Sequence, residues 1–433
     1  MTKKVIIIGA GVIGCAVALE LSRRGYQTLN IDKNAAAGAG STSSSCAIVR
    51  FSYSTLESVK LSYEGHFYWK NWRDYLGLES DKPVAKFIAC GALVIKTSDD
   101  DRADLEQFYR QLDIPFEIWT SDQICQRLPI YSAARCGPPR PLDDPEFYED
   151  DPTPIPGGLF TPDAGYVDDP QLAADNLRRA AEALGGQFLF NREVVAIHRK
   201  DGHVTGVGLS HGETLDADII VNVAGPHSFV INRMAGVEDE MRVKTRALRR
   251  EVHHVPSPRG FAFEGNGICT SDTNIGVYFK PTTGNKISVG SGDPVCDSKT
   301  FIDDPDEYDR NIWERQWQTQ VYRLAKRIPE LPIPNTGVGV VDLYDLSDDW
   351  TPIYDKSSLG GFYMAIGTSG HQFKNAAVAG ALMAALIEYC ESGHDQDQQP
   401  LHFSGKWTGF DIDTGAFSRL RNINTKSSFS VRG

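Results

Sequence analysis

With 433 residues, 41% of them hydrophobic, the chain can fill the core of two domains or of one large two-part enzyme, which excludes intrinsic disorder as its ground state. Its net charge of −13, from 44 basic and 57 acidic residues, disfavours electrostatic binding to nucleic acid or to an anionic membrane. No apolar run reaches about 18 residues, so no membrane span is expected, and eight scattered cysteines without a C-x-x-C pair suggest neither a metal site nor a disulfide framework.

Lys3 and Lys4 precede a four-residue apolar run, Val5 to Ile8, which reads as a central strand buried on both faces and not as a signal peptide. Gly9-Ala10-Gly11-Val12-Ile13-Gly14 follows, and then a helical pattern ending at Arg23-Arg24-Gly25. Thr28 to Ile31 reads as a second strand closed by Asp32. Gly9 permits the tight turn, Gly11 lets backbone approach a pyrophosphate, and Gly14 lets helix and strand pack closely. The helix N-terminus offers free N–H groups to phosphate, and Asp32 is placed for ribose hydroxyls.

Residues 38–45 are Gly, Ala, Ser and Thr with one terminal serine run, and are read as wrapping the dinucleotide because they follow Asp32 directly. Arg50 ends the segment, as a bidentate clamp for a substrate carboxylate or as a structural ion-pair partner. Leu56 to Leu76 reads as one aromatic-rich core helix, Phe87 to Lys96 as a strand, Asp100 to Leu112 as an amphipathic helix, and Ser121 to Leu128 as a short helix capped by Ser121-Asp122. Residues 137–158 carry seven prolines and a run of acids, so neither a helix nor an inner strand is expected. A solvated loop is the plain reading, and a lid over the active site the sharper one.

A helix is expected over Gln171 to Leu184, then strands at Gln187 to Phe190, Val194 to Arg199, Val204 to Leu209 and Ile219 to Val223. The last runs into Ala224-Gly225, so the nucleotide-binding sheet resumes there after a long excursion. Met241 to Val255 and Ile275 to Gly290 read as long strands of a second sheet, and Ile312 to Ile328 as a helix. Phe362 to Ile366 is a buried strand leading through Gly367-Thr368-Ser369-Gly370 to a small-residue helix, Ala376 to Tyr389. The tail from Asp395 is polar and is expected on the surface.

These pieces together resemble the flavin-dependent amine and amino-acid oxidoreductases of the D-amino acid oxidase and sarcosine oxidase type, with their dimethylglycine dehydrogenase-like relatives. The resemblance rests on GAGVIGCAVALELSRRG, GSTSSSCAIVR, GYVDDPQLAADNLRRAAEALGG, DADIIVNVAGPHS, LYDLSDDWTPIYD and GTSGHQFKNAAVAG, in the family's order across most of residues 1–390. It implies an α/β fold in which a Rossmann-like FAD-binding domain (1–86, 161–235, 339–395) is interleaved with a mixed, mainly antiparallel substrate domain (87–160, 236–338), followed by a tail, 396–433. It also implies hydride transfer from a carbon beside an amine nitrogen to the flavin of a bound FAD, giving an imine that water hydrolyses, with oxygen or another electron acceptor completing the cycle.

Carried over by residue, the resemblance makes Lys374 the lysine near flavin and substrate carboxylate. Gly370 and His371 become the turn that cradles the flavin pyrimidine edge, within a segment holding Gly367, Gln372 and Phe373. Tyr344 and Tyr278 become substrate-side tyrosines, and Lys286 the lysine that promotes reaction with oxygen. Further FAD contacts are implied at Val12, Ile13, Lys33, Ser41, Thr42 and Ser43, and at Val194, Ala224 and Gly225. Three departures stand out. Asp342 occupies the place of the cysteine that holds flavin covalently in many relatives, and Ser43-Ser44 follow Gly-Ser-Thr where the dimethylglycine dehydrogenase type has a histidine, so FAD is expected to be non-covalent. A family histidine falls on Gly290, and a family arginine on Ala47. A hydroxy acid substrate, or a flavin-binding assembly protein without turnover, are the alternatives. The thiol content points to a reducing cytoplasm.

Overall fold

The computed structural model describes residues 3–79, 81–98, 101–149, 151–425 and 427–430. One six-stranded sheet runs in the order Gln187–Leu189, Gln27–Ile31, Lys4–Ile8, Ile219–Asn222, Phe362–Ile366, Ile353–Lys356. Its first five strands are parallel, and only the last pair is antiparallel. Alternation along the central strand divides the core: Val5 and Ile7 face one hydrophobic cluster, Ile6 and Ile8 another. On the first side the helix Val12–Arg23 packs against Pro170–Glu182 and Ala376–Glu391. A Cβ on Gly380 would lie 2.7 Å from the Ala16 backbone, which is why the last helix is built of Ala and Gly along that contact. On the other side lies the meander Val194–Lys200, His203–Leu209, Thr214–Asp216.

The second sheet joins Thr245–Pro256, Lys286–Ser291, Val277–Thr282, Cys269–Asp272, Ala92–Ile95, Gly158–Thr161 and Glu117–Trp119 in that order. Phe301–Ile302 and Gly339–Ser347 both pair with its longest strand. All its pairings are antiparallel except Cys269–Asp272 with Ala92–Ile95. The helix Glu314–Arg327 covers one face, with Trp317, Val321 and Leu324 in its core.

Several expectations are corrected. The aromatic segment is two helices, Leu56–Lys70 and Trp72–Leu76, broken at Asn71, whose side chain donates to the Phe67 carbonyl at 2.8 Å. Phe87–Ile88 and Ala92–Ile95 belong to different sheets, because the chain turns at Gly91 with φ +80. Ile275 to Gly290 is a hairpin, Val277–Thr282 and Lys286–Ser291, turning through Gly284 and Asn285, both at positive φ. The short helix Ser121–Arg127 is capped by Thr120 in a capping box with Gln123. The amphipathic helix runs Ala103–Gln111, and Asp100, its expected start, lies outside the described residues.

The tail does not lie loose on the surface. Phe403, Ile412 and Phe417 join the main core, and buried Arg419 reaches Asp397 at 2.7 Å, Asp355 at 3.1 Å and Glu240 at 3.3 Å. Phe373–Glu391 is apolar and long enough to cross a membrane by length and composition, contrary to the reading of the sequence, but 72% of its best window is buried inside the fold, as in a core helix.

Candidate active site

A single cleft runs from the first glycine turn to the second sheet. Gly11, Val12, Ile13 and Gly14 line one end; Ser41, Thr42 and Cys46 line the middle; Arg50, Arg250, Tyr278, Tyr344 and Gly370 to Lys374 line the other. The strand–turn–helix geometry sets the first end. Gly9 sits at φ +120, and a Cβ there would fall 2.4 Å from the Val223 carbonyl oxygen, so only glycine serves. The first amides of a helix have no partner within it; here the Val12 amide donates to Thr42 Oγ at 3.1 Å. Asp32 closes its strand and accepts from the amides of Ala10 at 2.7 Å and Asn34 at 2.8 Å, which fixes the glycine turn against the second strand.

At the far end the buried Lys374 Nζ donates to Tyr53 Oη at 2.9 Å and to the His371 carbonyl at 2.6 Å. Burial, with the Arg50 charge beside it, holds this lysine well below its ordinary pKa. His371 is locked: its Nε2 lies 2.7 Å from the Trp350 carbonyl, and its Nδ1 2.8 Å from Gln372 Nε2. Burial pushes His371 well below its usual value, so it is a neutral ring donating to Trp350 and accepting from Gln372. Gly370, at φ +72, gives Tyr344 its place, since a Cβ would fall 2.2 Å from that ring. The Tyr278 and Tyr344 hydroxyls are 3.4 Å apart, and burial raises both phenols.

Arg250 was not singled out in the sequence. It stands beside Arg249 on one strand, and alternation sends the two opposite ways. Arg249 pairs with buried Glu251 at 2.6 Å away from the cleft. Arg250 lines the cleft, pairs with Asp293, and lies 5.5 Å from the Tyr344 ring centroid. Arg50 also lines it, donating to Ser52 Oγ at 3.2 Å and lying 4.9 Å over the Tyr53 ring. Asp345 is a second addition. Its Oδ2 accepts from the Gly367 amide at 2.6 Å and from Ser228 Oγ at 3.1 Å, while its buried Oδ1 has no protein partner. Burial pushes this carboxyl up to about 7.

Other expected residues lie elsewhere. Lys286 is corrected: it is exposed at the open end of its strand, because the Gly284-Asn285 turn makes it the first residue to pair, and it does not reach the cleft. Lys33 pairs with Asp306 and sits 2.8 Å from His227 Nε2. Ser43 is exposed, and Val194 is packed in the core behind the sheet. Ala224 and Gly367 do not line the cleft; their amides donate to Asn222 Oδ1 at 3.2 Å and to Asp345 Oδ2 at 2.6 Å. Gly225, at φ +57, lines it. Among the described residues, none of 137–158 lines the cleft. They form a short helical turn and an edge strand pairing Ala134–Arg135, and they line a separate cavity with Arg135, Arg323 and Lys326.

The departures also acquire a cause. A Cβ on Gly290 would lie 2.5 Å from both Cζ and Oη of Tyr278, so the space a histidine would take is filled by the tyrosine. Ala47 is held at φ +49 where the segment bends into the short strand Ile48–Val49.

The FAD dependent oxidoreductase family, DAO, matches residues 4–386, and the chain belongs to it. The protein is 27% identical over 316 residues to a glycerol 3-phosphate dehydrogenase of Caloramator mitchellensis, covering 70% of this chain but only 58% of that protein. It is 24% identical over 393 residues to the sarcosine oxidase subunit beta of Rhodobacter capsulatus, covering 88% of this chain and 84% of the relative. The crystal structure of L-proline dehydrogenase from P. horikoshii superimposes with a TM-score of 0.72 at 21% identity, over 89% of this chain and 93% of that one. The cofactor is FAD, and the protein is a flavoprotein oxidoreductase. The cleft fits the group: it carries a helix N-terminus at one end, cationic side chains at the other, and the unpartnered Asp345 Oδ1 between.

Proposed function

We propose that the protein oxidises a secondary amine or an amino acid, N-methylated, otherwise N-substituted or of D configuration, to an imine that water then hydrolyses. Bound FAD supplies the two-electron acceptor for the hydride. The chain's own residues bind, orient and shield. Arg250 and Arg50 offer guanidinium groups for a substrate carboxylate, and the Tyr278 and Tyr344 hydroxyls offer hydrogen bonds to its polar end. Lys374 places an N–H donor at the buried end of the cleft, where a hydrogen bond from it stabilises a developing anion. With Asp342 in the place of the family cysteine and Ser43 exposed, FAD is held non-covalently.

The observation that carries the amine reading is the state of the histidines. Oxidising a hydroxy acid needs a base for the hydroxyl proton. Among the described residues His371 is the one histidine lining the cleft, and both its ring nitrogens are engaged. His227 lies beside Lys33 and Asp306, His254 meets Ser288 at 3.0 Å, and His253 is buried outside the cleft. An amine that binds neutral needs no such base. Eight free thiols favour a reducing, cytoplasmic compartment for this enzyme.

The test is anaerobic addition of N-methyl, D- and L-amino acids, of 2-hydroxy acids and of glycerol 3-phosphate to the purified flavoprotein. Bleaching of flavin absorbance by amines is expected. Bleaching by hydroxyl substrates alone overturns the amine reading, and an inert flavin with every compound favours a binding protein without turnover. Acid precipitation should leave the flavin in the supernatant.

A further inference from the structure

Two thiols outside the chemistry described above stand together, one of them, Cys269, in the lining of the cleft. Cys90 Sγ and Cys269 Sγ are 3.6 Å apart, close to the contact distance of two sulfurs. Cys269 opens one inner strand of the second sheet, and Cys90 lies just ahead of the neighbouring inner strand, Ala92–Ile95. Cys269 begins the strand Cys269–Asp272 in parallel register with Ala92, two residues beyond Cys90. Both Cys269 and Ala92 line the cleft. Cys90 is partly exposed whereas Cys269 is 3% exposed, so an oxidant from solvent meets Cys90 first.

The surroundings favour a reactive thiol at Cys90. The hydrogen bond from the Cys269 thiol holds Cys90 below its ordinary value, while burial pushes Cys269 up. Buried Lys280, whose ammonium donates to the Pro281 carbonyl at 3.0 Å and sits 4.1 Å over the Tyr166 ring, adds positive charge near both sulfurs. A partly exposed cysteine of lowered pKa in contact with a second thiol is the arrangement of an attacking and a resolving cysteine.

We propose that Cys90 and Cys269 are an oxidation site, closed to a disulfide by hydrogen peroxide. The Cys90 thiolate attacks one peroxide oxygen; the O–O bond breaks, hydroxide leaves, and Cys90 becomes a sulfenic acid. Cys269 sulfur then attacks the Cys90 sulfur, the S–O bond breaks, and the hydroxyl leaves as water with the Cys269 proton. The sulfurs lose two electrons and the peroxide gains them. A dithiol such as dithiothreitol reverses the change, taking up the oxidation as its own disulfide.

Closing the bond brings the sulfurs to about 2.05 Å, a movement the cleft wall must absorb. The chain beside Cys90 is built to turn, with Gly91 at φ +80 and no room for a side chain there, since a Cβ would lie 2.4 Å from the Phe160 ring. Oxidation therefore reshapes the wall at Ala92 and Cys269, and substrate binding weakens while FAD stays bound.

The test treats the flavin-loaded protein with hydrogen peroxide, blocks remaining thiols by alkylation under denaturing conditions, and maps peptides by mass. A Cys90–Cys269 linked peptide, two mass units below the dithiol form and lost after dithiothreitol, is expected. In Cys269→Ser, dimedone should label Cys90; in Cys90→Ser, Cys269 should stay alkylatable at the same exposure. Full alkylation of both cysteines in the treated wild type overturns the proposal, as does dimedone-labelled Cys90 with no linked peptide. Peptide mapping of the wild type decides the matter even where a variant fails to fold.

Discussion

Filling the space at Gly290 probes the assignment of Tyr278 directly. In Gly290→Ala the new Cβ would lie 2.5 Å from Cζ and Oη of Tyr278, where ordinary contact is 3.4–4 Å. The ring must withdraw by about an ångström, and overpacking of this kind costs about 1–3 kcal/mol. The same withdrawal pulls the Tyr278 hydroxyl from Tyr344 and changes the wall that meets substrate. Urea unfolding should therefore show Gly290→Ala less stable than wild type by about 1–3 kcal/mol, and steady-state kinetics should show a raised KM. Tyr278→Ala removes the obstacle, so adding Gly290→Ala to it should cost less than about 0.5 kcal/mol, giving a coupling of about 1–3 kcal/mol between the positions. An equal cost of Gly290→Ala in both backgrounds would refute the reasoning, because it would mean that the alanine methyl meets something other than the tyrosine.

Four further outcomes follow from the same geometry. Arg250→Met should raise KM for carboxylate-bearing substrates by about tenfold or more, as loss of a charge-assisted pair implies, with a smaller change for amines lacking the carboxylate; equal effects on both would remove Arg250 from substrate binding. Lys286→Met should leave flavin reoxidation by oxygen unchanged in stopped flow, since the side chain is exposed away from the cleft. In the apoprotein, Asp345 has a folded value of about 7, above its unfolded one, so it binds more protons folded than unfolded and stability falls as pH rises from about 4 to 7; Asp345→Asn should flatten that fall, and an unchanged pH slope would contradict the assignment. Arg419→Met leaves Asp355 buried without its ion partner and should cost about 3–5 kcal/mol in urea unfolding.

The dinucleotide end of the molecule is legible in the sequence because its signals are local. An unbroken apolar run, three spaced glycines and a helix stop specify Lys4–Ile8 and Val12–Arg23 to within a residue or two. Tyr278, Tyr344 and Lys374 were also legible, but through the family pattern and not through periodicity. Lys286 is not legible in place, because a run from Ile275 to Gly290 reads as one strand unless Gly284-Asn285 is taken as a turn, and the turn decides which lysine reaches the interior. Lys280 is the buried one. Arg250 and Asp345 are not legible locally, because an arginine pair and an acid in a strand look solvated until the pairing of distant strands buries them. The tail escaped for the same reason. Arg419 finds Asp397, Asp355 and Glu240 at separations of 22, 64 and 179 residues, contacts that no local pattern records.

The proposed removal of hydride from carbon beside an amine nitrogen, in the Tyr278–Tyr344–Arg250 end of the cleft, is tested most directly by anaerobic rapid mixing of the flavoprotein with amino acid substrates deuterated at that carbon. Flavin bleaching by the best amine is expected to slow severalfold on deuteration. Bleaching with no isotope effect under saturating substrate, or bleaching confined to hydroxyl compounds, would contradict it.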